Sequence, residues 1–227
     1  MTGPLEGIRA CVFDAYGTLF DTAAAAARCK DALGDSFERL ATLWRDKQLQ
    51  YTWLRAVQGR HADFWQVTGD ALDFSLTALA INDAALRERL MGLYLTLDSY
   101  PEVAVVLRAL KSRGMTTAIL SNGSPQMLDA AVASAGIGPL LDAVMSVEEV
   151  GVFKPSSKVY RLAVEQLGMP ARDIVFVSSN GWDAYAGSAF GMRVVWCNRT
   201  GQPPECLPGA PDFEVRSLAE LPALLAA

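Results

Sequence analysis

Histidine is almost absent from this chain, with His61 the single example among 227 residues and no cysteine near it. Zinc therefore has no support, because its sites draw on clustered Cys, His and carboxylate ligands. His61 reads as a helix-surface residue, neither a ligand nor a general base. The four cysteines, Cys11, Cys29, Cys197 and Cys206, form no C-x-x-C pair, so they read as free structural thiols, with Cys11 a small hydrophobe inside an apolar run. Clusters of Lys and Arg are also missing and the net charge is −5, which removes the basic stripe that a phosphate backbone requires. Nucleic acid is not an expected partner. No apolar run reaches the roughly 18–20 residues of a membrane span, and the opening MTGPLEGIRACVF lacks the features of a secretory leader. These absences lead us to expect a cytoplasmic protein with no membrane partner.

What is present is ordinary globular composition, 51% hydrophobic and 20% charged. The length suits one core with an inserted module. Six short runs are nearly continuous in apolar character: IRACVF (8–13), TTAIL (116–120), DAVMSV (142–147), DIVFVSS (173–179), RVVWCN (193–198) and DFEV (212–215). They alternate with helical stretches, the pattern of a doubly wound α/β domain whose parallel strands are buried on both faces. Residues 22–98 show helical periodicity and no convincing strand, which predicts a helical cap inserted after the first strand. The expected division is a core of 1–21 and 99–227 with a cap of 22–98.

Within the cap, helices are predicted near 36–58, 63–80 and 83–95, and another follows at 102–113 with Pro101 in its first turn. Phe37, Leu40, Ala41 and Trp44 form a buried stripe on the first, while Arg45 and Leu49 share another face. The alanine run Ala23–Ala27 reads as helix. The Gly- and Pro-rich stretch 201–211 reads as a loop before the last strand.

Ligands of doubly wound sheets bind beyond the carboxyl ends of the strands. Four of these ends carry polar groups: FDAYGTLFD supplies Asp14, Tyr16 and Thr18, and the second strand supplies Ser121 and Asn122. Lys154 precedes Pro155 after the third strand, and SSNGWD supplies Ser178, Asn180 and Asp183. Turns and helix caps would explain each group singly. Their ordered conjunction points to one site.

That order, DxxGT, then a strand-end Ser, then Lys-Pro, then an acidic motif, resembles the haloacid dehalogenase superfamily over nearly the whole chain. The resemblance implies a Rossmann-like parallel core, Asp14 as nucleophile, Thr18 and Ser121 positioning the reacting groups, and Lys154 balancing charge. Phosphotransferases of the superfamily carry DxDGT and a pair of later acids. Here Tyr16 stands where an acid would protonate the leaving group, and Asp183 alone remains where two acids help hold Mg²⁺. Phosphoryl transfer would then lack both its metal clamp and its proton donor.

The departures are similar to L-2-haloacid dehalogenases, in which a carboxylate displaces halide and water hydrolyses the resulting ester. Halide leaves without protonation, and no cofactor or metal is implied. LWRDKQLQYTWL resembles the cap segment bearing a halide-facing arginine, so Arg45, helped by Asn122, would stabilise the leaving anion. Leu49, Phe64, Tyr16 and Trp182 would supply apolar walls. Ser121 and the amides after Asp14 would take the substrate carboxylate, while Ser178 and Asn180 would hold Asp14 and the hydrolytic water. Asp183 would orient Lys154 or act as base, and Tyr160 matches a family position while a packing role fits equally. Asp46 would oppose the anion if it faced the pocket, but neighbouring helix residues diverge by about 100°, which turns it to solvent. The implied reaction converts short-chain L-2-haloalkanoic acids to D-2-hydroxy acids with halide release, and the family suggests a homodimer. A Mg²⁺-dependent phosphatase of the same superfamily and a non-catalytic binding protein stand as alternatives.

Overall fold

Each of the six apolar runs contains a strand in the computed structural model, which describes residues 3–22 and 27–226. The strands are β1 (Ala10–Phe13), β2 (Thr116–Ser121), β3 (Ala143–Ser146), β4 (Ile174–Ser178), β5 (Arg193–Cys197) and β6 (Phe213–Val215). They form one sheet in the order β3-β2-β1-β4-β5-β6, with every pairing parallel. The four inner strands are buried nearly throughout, as their unbroken apolar character requires. The edge strands β3 and β6 keep residues such as Val144 and Glu214 exposed, because only one neighbour covers them.

Chain order reverses direction at β1, whose neighbours are β2 and β4. Such a switch point opens a crevice at the carboxyl ends of the strands. The register pairs Phe13 with Val177, so Asp14 and Ser178 emerge side by side. Topology alone has placed two polar residues at the crevice.

Between β1 and β2 come a four-residue helix at Lys30–Leu33, then α1 (Phe37–Gln58), α2 (Phe64–Ala78) and α3 (Ala84–Leu93), before a further helix that leads into β2. Gly59 ends α1 in the left-handed region at φ 62°, a conformation that costs glycine little. Asp63 and Asp83 cap α2 and α3 by accepting from the amides of Gln66 and Leu86. The chain leaves and re-enters the sheet region on adjacent backbones: Asp21 N donates to Asp98 O at 2.9 Å and Tyr100 N to Leu19 O at 3.0 Å. On α1 the buried row is Leu40, Trp44, Gln48 and Thr52. Its apolar half follows the expected stripe, whereas Phe37 and Ala41 are only half-buried.

The remaining helices are α4 (Val103–Ser112), α5 (Pro125–Ala135), α6 (Ser157–Leu167), α7 (Gly181–Phe190) and the short α8 (Leu221–Leu224). Pro101 lies before α4 in a turn closed by Val103 N and Tyr100 O, outside the helix where it was expected. The alanine run falls outside the described residues except for Ala27. Residues 201–211 form the expected loop. No described helix is long and apolar enough to cross a membrane.

Helix α7 lies against β4 closely enough that a Cβ on Gly187 would stand 2.7 Å from Phe176 Cδ1. Alanine there would gain about 1 kcal/mol of helix propensity. Overpacking a closed core costs about 1–3 kcal/mol, and Phe176 is fully buried. Gly187→Ala is therefore expected to lower the urea midpoint, and a raised midpoint would show that the contact is slack.

Candidate active site

The turn after β1 holds Asp14 in place and aims its neighbours back at it. Asp14 N donates to Val177 O, and Ala15 O collects the amides of Thr18, Leu19 and Phe20. This reversal passes through Gly17 at φ 88°, where a side chain would be strained. It returns the Thr18 hydroxyl to Asp14 Oδ2 at 3.2 Å, and the same hydroxyl accepts from Ser179 N at 2.8 Å. Asn180 Nδ2 also donates to Asp14 Oδ2, at 2.9 Å. The carboxylate is buried and held from two strands.

Its other oxygen belongs to Lys154. The Lys154 ammonium, 1% exposed, donates to Asp14 Oδ1 at 3.1 Å and to Asp183 Oδ2 at 2.9 Å. Its backbone N–H donates to Asn122 Oδ1 at 3.0 Å, so the end of β2 locates the lysine; the Lys154–Pro155 peptide is cis. Asp183, in the first turn of α7, also accepts from the Tyr160 hydroxyl at 2.6 Å and the Ser178 hydroxyl at 3.0 Å.

Burial by itself would pull the Lys154 ammonium down, but the charges of Asp14 and Asp183 reverse this and leave it above the ordinary lysine value. Burial pushes the Asp183 carboxyl up, opposed by Lys154. Ser178 accepts from Asn180 N, which leaves its own proton for Asp183. Three donors on two oxygens are what an ionised carboxylate accepts, and the charge of Lys154 favours that form. Burial and the charge of Asp183 push the Tyr160 phenol well above its usual value, keeping its proton available to donate.

The α1 helix reaches the same place from the opposite side. Arg45 Nη2 donates to Asn180 Oδ1 at 3.2 Å and Nη1 to Gln48 Oε1 at 2.8 Å. The Asn180 amide thus lies between the guanidinium and the Asp14 carboxylate. Aromatic rings line the space alongside: Tyr16 lies 5.7 Å from both Phe64 and Tyr94, and Phe64 lies 6.2 Å from Phe153. Gly123 permits this arrangement, since a Cβ there would meet the Tyr16 ring at 2.7 Å. The Tyr16 hydroxyl is buried with no hydrogen-bond partner among the described residues, and burial raises its pKa.

The structure gathers Asp14, Tyr16, Thr18, Arg45, Lys154, Asn180 and Asp183 as a connected set, and alters the parts given to others. Ser178, expected on Asp14, donates to Asp183 because its β-strand position turns it toward the start of α7. Asn122 spends its carbonyl on the Lys154 backbone, leaving only its amide nitrogen to face a leaving group. Ser121 is fully buried and accepts from Gly123 N. The Tyr160 hydroxyl is committed to Asp183, with its ring against Phe176 and Phe190. Leu49 is half-buried on α1. Trp182 packs edge-on against Trp53 at 5.4 Å and lines an apolar groove of ≈ 770 Å³ with Phe153 and Tyr160.

His61 is not on a helix surface: it lies in the α1–α2 loop, bonded to Glu148 at 2.9 Å and stacked near Phe153. Asp46 is exposed, as the helix geometry required. Among the described residues no three His, Cys, Asp or Glu side chains cluster as a metal set. Gln48, Thr68 and Tyr94 escape the sequence reading. The available signal was spacing, since Gln48 continues the Leu40–Trp44 row at the same interval of four.

The haloacid dehalogenase-like hydrolase family matches residues 8–191. The (S)-2-haloacid dehalogenase 4A of Burkholderia cepacia is 43% identical over 223 residues, covering 98% of this chain and 96% of that protein. The (S)-2-haloacid dehalogenase of Pseudomonas sp. strain YL is 45% identical over 215 residues, covering 94% and 93%. The structure of L-2-haloacid dehalogenase from Xanthobacter autotrophicus with chloropropionic acid covalently bound superposes with a TM-score of 0.90 at 39% identity, covering 96% and 98%.

Replacing Lys154 by Met would leave two carboxylates buried without their counter-ion, a change that typically costs about 3–5 kcal/mol. The stranded groups would then favour their protonated forms, with folded pKa values above the unfolded ones. A group shifted in that sense loses stability as pH rises. The gap in urea midpoint between parent and Lys154→Met is expected to be wide at pH 8 and to narrow toward pH 5. A gap independent of pH would mean that the lysine contributes packing alone.

Proposed function

Because the chain belongs to the haloacid dehalogenase-like hydrolase family, we propose that it hydrolyses short-chain L-2-haloalkanoic acids to D-2-hydroxy acids, with Asp14 as the nucleophile. The observation that carries this reading is the placement of Asp14 between two cations: Lys154 on one oxygen and, through Asn180, Arg45 beyond the other. One cation serves the nucleophile and the other serves the leaving group. The names borne by relatives of 43% and 45% identity agree with it.

In the first step an Asp14 carboxylate oxygen attacks C2 from the face opposite the halogen, forming a C–O ester bond as the carbon–halogen bond breaks. Back-side attack inverts C2. The leaving halide takes the bonding pair and is received by the Arg45 guanidinium, a fixed cation beside a wall of Tyr16, Phe64 and Tyr94 rings. Halide is a stable anion, so this step asks for no proton donor, and the position of Tyr16 in the DxxGT turn needs no acid.

In the second step water adds to the ester carbonyl of Asp14, and the C–O bond to the aspartyl carbonyl breaks. The 2-hydroxy acid leaves with the original Asp14 oxygen, a proton is released, and the carboxylate is restored. Lys154 lies where negative charge develops on the carbonyl oxygen. Asp183 holds that lysine while Tyr160 and Ser178 hold Asp183. Its engagement on both oxygens favours the orienting role over that of base. The amides following Asp14 take the substrate carboxylate, with Ser121 holding the backbone at Gly123 beside them, and the helical interval 22–98 acts as a cap that excludes water around the displacement.

Halide release from the two enantiomers of 2-chloropropionate in excess EDTA tests the reading. The L-enantiomer is expected to yield chloride and D-lactate while the D-enantiomer yields neither. A chain that releases no chloride in EDTA yet hydrolyses phosphate esters when Mg²⁺ is added would be a phosphatase instead.

A further inference from the structure

The buried row of α1 changes character as it approaches the nucleophile. Leu40 and Trp44 are apolar, but Gln48, the next residue in the row, is fully buried. A buried amide is costly unless both of its ends are hydrogen-bonded. Gln48 meets that condition: Oε1 accepts from Arg45 Nη1 at 2.8 Å and from the Tyr94 hydroxyl at 3.2 Å, and Nε2 donates to Thr68 Oγ1 at 2.7 Å.

Two independent constraints fix the orientation of this amide. A guanidinium has no acceptor, so the Gln48 atom facing Arg45 must be the oxygen. The Thr68 hydroxyl donates its proton to Phe64 O at 2.6 Å, so toward Gln48 it can only accept, and the atom facing it must be the NH₂ group. Both constraints select the same rotamer. Thr68 is itself held within α2 and accepts no choice of partner once its proton is placed.

Arg45 is therefore gripped at two nitrogens, Nη1 by Gln48 within the helical insertion and Nη2 by Asn180 next to Asp14. A two-point hold fixes the plane of the guanidinium as well as its position. Gln48 does this as a neutral group, so the positive field of Arg45 is left for an incoming anion, which a carboxylate at the same position would cancel. We propose that Gln48 is a positioning residue, locked by Thr68, that sets the orientation of Arg45 for departure of the halide. The proposal rests on the reading of Arg45 as the cation that receives the leaving group.

Three variants test it: Gln48→Met, which keeps length and removes the acceptor, Thr68→Val, which removes the lock, and Thr68→Ser, which keeps the hydroxyl. The single-turnover rate of halide release from L-2-chloropropionate at saturation is expected to fall about tenfold or more in Gln48→Met, in line with the loss that small misplacements of reacting groups cause. Half-saturation should stay near the parental value, because substrate binding does not run through Gln48. The loss should be smaller on L-2-bromopropionate, whose halide leaves with less assistance. Thr68→Val should move the same way and Thr68→Ser should match the parent.

Guanidinium NMR gives a second readout that needs no turnover. The Arg45 signals, identified by their loss in Arg45→Lys, should show slow rotation in the parent and Thr68→Ser, and averaging in Gln48→Met and Thr68→Val. Parental halide release and unchanged Arg45 signals in Gln48→Met would overturn the proposal, as would equal losses on both halides with the signals unchanged. If the parent itself releases no halide, the proposed reaction fails, and with it the purpose assigned to the orientation; the Arg45 signals then report whether Gln48 holds the guanidinium at all.

Discussion

A lysine ammonium sealed between two carboxylates governs this structure. Lys154 and Asp183 are almost wholly out of contact with water and Asp14 keeps only 8% of its side chain exposed, so none of the three charges can be removed without stranding the others. Desolvating such groups costs several kcal/mol each, and their mutual attraction offsets this only with good geometry and full hydrogen bonding. Much of the surrounding sheet edge answers that demand. Asn122 fixes the lysine backbone, Tyr160 and Ser178 complete Asp183, and Thr18 with Asn180 complete Asp14.

The same network is asymmetric in a way that suits chemistry. One side of Asp14 faces a cation embedded in the sheet region, while the other faces a cation carried on α1, a helix from the insertion. Lys154 with its two carboxylates leaves a net negative charge, and Arg45 offsets it through the Asn180 amide. The fold thus brings an anion and a second cation together without pairing them directly. An amide spacer separates Arg45 from Asp14, whereas a direct salt bridge would occupy both groups.

Most of the architecture was legible because buried parallel strands have little choice of composition. All six apolar runs contain strands, and the long helical interval contains α1, α2 and α3. The polar ends of β1, β2 and β4 were legible for the same reason, since a polar residue closing an apolar run marks the rim of the sheet. What escaped was direction. Ser178 and Asp14 are neighbours by register, yet the serine turns to Asp183, and Tyr160 reaches Asp183 across 23 positions of chain. His61 read as surface because nothing nearby in sequence hints at Glu148. Gln48 was hidden by a sound general rule that polar helix residues face water, which fails where a buried row must supply a partner for Arg45.

The central claim is that Asp14 bonds covalently to the carbon that loses the halide. A single turnover of L-2-chloropropionate in ¹⁸O-water, followed by mass spectrometry of the peptide containing Asp14 and of the released acid, tests it directly. The account requires label in the Asp14 side chain and an unlabelled hydroxyl in the first product. Label in that hydroxyl, with none in Asp14, would mean that water attacks carbon and that the buried carboxylate is only a base.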